Sequence, residues 1–183
     1  MRVEPKLNEV VNGARGMLRG IQIVLEAECL VSAVALMFAA MDSLAALTRP
    51  VDATDTGRTV CTEWADKYLR PSETLGCTST DLYAARCGVL HTHSPDSRLE
   101  REGKARRLVY EWRQGPSADS AVPLPPDALV IEVEALHRAL CEAVRLFLID
   151  AEMDPSTRKL VEHHRPSMLC YAPWPRLESV VAA

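Results

Sequence analysis

Apolar side chains recur at Leu30, Val34, Met37, Phe38, Met41, Leu44 and Ala45. That is one stripe of a 3.6-residue period, sustained for about four turns. A stripe of this length commits the chain to a long helix laid against a core. Extended in both directions, the pattern predicts a helix over 17–47, stopped by Pro50. Its most apolar part, 29–41, is shorter than the roughly 20 residues that span a bilayer. Glu26, Glu28 and Asp42 flank that part. It reads as a buried core helix, with no membrane partner.

The rest of the chain follows the same period. Val60, Trp64 and Tyr68 lie four apart and predict a helix over 58–69, with Pro71 at its end. Thr78 to Asp81 fits a helix start in which side-chain oxygens cap free N–H groups. The helix it opens runs over 79–93 through Leu82, Tyr83, Ala85, Val89 and Leu90, and Ser94, Pro95 and Asp96 close it. A last long helix over 133–152 carries Val133, Leu136, Leu140, Val144, Phe147, Leu148 and Ala151 on one face, with His137 among them. A hydrogen-bonded core histidine is the plain reading of that position. Asp154 and Pro155 begin a shorter helix to His164, terminated by Pro166.

Between these helices, 107–112 alternates as a short strand, and 129–133 either pairs with it or already belongs to the next helix. Pro116, Pro123, Pro125 and Pro126 make the intervening stretch a loop. The expected fold is mainly all-α. It is a single domain over 1–183 built as a four- to five-helix bundle, with a small β-hairpin inserted within 97–132. Residues 1–16 form an N-terminal segment and 166–183 an extended tail.

Hydrophobic residues make up 48% of the chain, which excludes wholesale disorder. Acidic residues outnumber Lys and Arg by 25 to 21, which argues against a protein that coats DNA generally. The six cysteines form no C-x-x-C pair and match no zinc spacing. The first twenty residues carry charges throughout and hold no apolar core of a signal peptide, so reduced thiols and a cytoplasmic setting are expected. Phosphate-binding, dinucleotide, serine-hydrolase and zincin motifs do not occur.

Chemistry concentrates in Arg86, Cys87, His91 and His93. Arginine offers a permanently charged fork to phosphate oxygens, and histidine moves a proton near neutral pH. RNA supplies its own 2′-hydroxyl nucleophile, so such a pair needs no metal. At about 100° per residue, His93 stands about 20° from Arg86 around the helix and His91 about 140°. His93 therefore shares the Arg86 face, and His91 reaches it only if the helix end frays. Arg98, Arg101, Lys104, Arg106 and Arg107 follow directly and offer a place to hold an RNA backbone, or else form a solvated surface. In a plainer reading, Arg86 pairs with Asp42 or Asp81 as a structural bridge. Asp42, unusual inside an apolar helix, is then its partner or a polar group at a dimer seam. His91, His93, His163 and His164, with Cys87, are the remaining metal candidates, but no ligand spacing accompanies them.

A helical bundle with Arg86-x4-His91 and Arg86-x6-His93 on its third helix resembles the HEPN superfamily. The likeness covers roughly 20–93 and 130–165, including Met41 to Leu44 on the long apolar helix. It implies a homodimer that joins two Arg/His motifs. It also implies a metal-independent, cofactor-free endoribonuclease of a toxin–antitoxin, defence or RNA-processing system, with RNA and a cognate antitoxin as partners. Arg86, His91 and His93 would be catalytic, with Asp42 and Cys87 supporting them. Other members have lost activity and bind a partner protein or nucleic acid. The residue after the arginine is often Asn, Asp or His in nuclease members. Here it is Cys87, which favours the binding form, whereas the paired histidines and the adjacent basic stretch favour the nuclease.

Overall fold

The computed structural model describes residues 5–92, 97–112, 124 and 126–168. In chain order its helices are α1 (Pro5–Asn12), α2 (Met17–Glu26), α3 (Leu30–Ala46), α4 (Arg58–Trp64), α5 (Pro71–Thr74), α6 (Ser79–Thr92), α7 (Arg98–Arg101), α8 (Val133–Met153) and α9 (Pro155–His164). Two strands, β1 (Leu108–Glu111) and β2 (Leu129–Glu132), lie between α7 and α8. The fold is mainly helical, and α3 lies at its centre. It packs against α2, α4, α6 and α8, burying Val34, Met37, Phe38, Leu44 and Ala45 of the stripe. Facing them, α8 buries Val133, Leu136, Leu140, Val144 and Phe147. The Phe147 ring meets Trp64 at 6.1 Å and Tyr68 at 5.4 Å between centroids, both edge-on.

The single helix expected over 17–47 is two helices. Glu28 adopts a left-handed φ of 56°, the conformation that commonly ends a helix. The Cys29 N–H closes the turn on the Val24 carbonyl at 2.9 Å. The buried stripes require the break. In one continuous helix, Ile21 and Leu25 would face roughly 100–160° away from the Met37 and Leu44 side. Folding α2 back onto α3 puts all four in the same core.

Three smaller expectations also change. Part of the N-terminal segment is α1, which buries Leu7 and Val11. Two apolar residues four apart were too weak a pattern to reveal it. The helix over 58–69 continues past α4 as a π-helical turn, Ala65–Leu69, and Arg70, at φ 49°, ends it. Pro71 therefore opens α5, occupying a first-turn position where its missing N–H costs nothing. The strands pair in parallel, Leu108 opposite Leu129 and Glu111 opposite Glu132, so they are not a hairpin. A parallel pair needs a crossover of about a dozen residues or more. The stretch between Glu111 and Leu129 is long enough to supply it. β2 then passes directly into α8. The expected ends at 94–96 and most of the tail lie outside the described residues.

Candidate functional site

The conspicuous polar cluster sits where α3, α4 and α6 meet. The helical period of α3 brings Asp42 to the edge of its buried side, and α6 presents Arg86 opposite. The Arg86 Nε donates to Asp42 Oδ2 at 2.7 Å, and Nη2 donates to the same oxygen. Nη1 faces the Cys87 sulfur at 3.8 Å. On the other side, the Cys61 thiol of α4 donates to Asp42 Oδ1 at 3.7 Å. About a fifth of each side chain of the ion pair is exposed, 20% for Arg86 and 21% for Asp42.

Burial works against the Arg86 charge, but hydrogen bonding and attraction to Asp42 outweigh it, so the guanidinium is held above its ordinary range. Burial, and then the neighbouring Asp42 carboxylate, push the Cys61 thiol up to about 12. A thiol so protonated is no nucleophile near neutral pH. Beneath the pair, Phe38, Cys61, Trp64 and Tyr83 help to enclose a cavity of about 30 Å³. That admits one or two waters and is far below the roughly 300 Å³ at which ligand pockets begin. Cys61 and Trp64 belong to this cluster although no motif in the sequence singles them out.

α6 runs through Arg86 and His91 as one helix, so the two residues stay about 140° apart around it. His93 lies outside the described residues, and with it the expected convergence on Arg86. Of the two acids considered as partners of Arg86, the structure selects Asp42. Asp81 is engaged elsewhere. It completes the expected helix start, accepting the Thr78 N–H at 2.9 Å while its own N–H donates to Thr78 Oγ1 at 3.1 Å. It also accepts the Arg106 backbone N–H and Nη2, both at 2.8 Å.

The other residues proposed to hold RNA are tied within the chain as well. Ser97 and Glu100 form a capping box that orders α7. Glu102 accepts from Arg98 Nε at 2.6 Å and from Lys104 Nζ at 2.8 Å. These two cations, Lys104 first, pull the Glu102 carboxyl down to about 2. Arg107 lies 3.6 Å from Glu100. Arg101 is exposed and makes no ion pair among the described residues. The proposed RNA grip is thus largely neutralised by its own acidic neighbours.

His137 is half-buried, with Nε2 at 3.5 Å from the Cys141 sulfur. His164 is buried and its Nε2 lies 3.0 Å from the Arg49 carbonyl. Among the described residues no three His, Cys, Asp or Glu side chains gather as a metal site. No described helix is long and apolar enough to cross a membrane. No family model, curated protein or solved structure matches this chain.

Asp81 carries a pH prediction. Its burial works to raise the carboxyl pKa, but hydrogen bonds from Thr78 and Arg106 together lower it below the ordinary aspartate value. A depressed carboxyl contributes stability that is fully present above its unfolded pKa of about 4 and is lost as pH falls through the folded value. Asp81→Asn keeps the cap but removes the titration. Its stability is expected to fall less steeply than wild type below about pH 4. Urea unfolding across acidic pH checks this, and parallel curves would refute it.

Proposed function

We infer that this chain is a non-catalytic, HEPN-like helical module that pairs with a second copy of itself and serves in binding. The carrying observation is the engagement of Arg86 by Asp42. Two of the three guanidinium nitrogens are bonded to one carboxylate oxygen, so little of the fork remains for a phosphate. The neutralised basic stretch after α6 points the same way.

Pairing with a second copy draws support from α3. Its sequence is apolar nearly all round, yet only one side is buried. The outer arc holds Val31, 68% exposed, and Leu36, 41% exposed, with Ser32, Ala35, Ala39 and Ser43 between them. Asp42 is the only charged residue of α3, and Arg86 neutralises it. Small side chains let two helices approach closely, and a twofold axis lays this arc on itself without opposing like charges.

The second reading is the metal-independent endoribonuclease of a toxin–antitoxin, defence or RNA-processing system. In its favour, Arg86 Nη1 is not bonded to Asp42, and about a fifth of the Arg86 side chain is exposed.

One purified sample decides between them. Light scattering is expected to give about twice the 20.2 kDa chain mass, and Ala39→Arg is expected to return a monomer. Mixed RNA is expected to stay intact with and without EDTA. A monomeric wild type would remove the pairing. RNA cleavage that survives EDTA and disappears in Arg86→Ala would replace the binding reading with the nuclease.

A further inference from the structure

We draw no further inference here: the strongest candidate, the Cys141–His137 pair on α8 beside the groove between α1 and α8, is a single half-buried thiol, which burial holds protonated, in contact with a histidine one turn away on its own helix, and nothing else among the described residues points to a ligand there.

Discussion

Asp42→Ala is expected to lower the unfolding free energy by about 2–3 kcal/mol, and Arg86→Ala by a similar amount. Each change strands one charge in a half-buried setting where no other described residue can pair with it. The figure is below the 3–5 kcal/mol typical of fully buried pairs, because about a fifth of each side chain still meets water. The double variant is expected to lie close to either single one, since removing the second partner relieves the stranded charge. Urea unfolding of the four proteins measures this coupling. The same experiment bears on function. Residues strained for catalysis commonly gain stability when replaced. An Arg86→Ala variant as stable as wild type, or more so, would mean that the pair is not the structural bridge described above.

Phe147→Ala is expected to be costlier still, at about 3–5 kcal/mol. Phe147 is fully buried, and its ring is met edge-on by Trp64 and Tyr68. Truncation removes the hydrophobic transfer energy and leaves a hole that two large neighbouring rings cannot readily close. In a chain of this size each kcal/mol shifts Tm by about 2–4 °C, so a drop on the order of 10 °C is expected in a thermal melt. A drop of only a degree or two would place Phe147 outside the core.

The long helices were legible because each carries many apolar residues at one period. α8 runs Val133–Met153 against an expected 133–152. Its buried residues include every member of the apolar face read from the sequence except His137, which is half-buried. The helix start at Thr78 and Asp81 was legible for a different reason. A capping exchange is local, and residues three apart in sequence complete it without help from the fold. The pairing of Arg86 was legible only as a choice between Asp42 and Asp81. The two acids are indistinguishable until the docking of α3 against α6 puts one of them beside the guanidinium.

By itself, then, the sequence determined where the long helical segments lie, which residues of them are buried and where several of them begin. Those properties depend on periodicity and on contacts a few residues apart. The tertiary structure decided what depends on distant segments meeting. The turn at Glu28 exists because Ile21 and Leu25 must reach the core that α3 already lines. The parallel pairing of the two strands joins segments about twenty residues apart, and the alternation within each does not encode its direction relative to the other. Arg106 belongs to Asp81 and Arg86 to Asp42 because the docking of the segment before β1 on α6, and of α3 on α6, places those charges within hydrogen-bonding distance. Opposite charges many residues apart carry no mark of their partners in the sequence, since the attraction acts only once packing has brought them together.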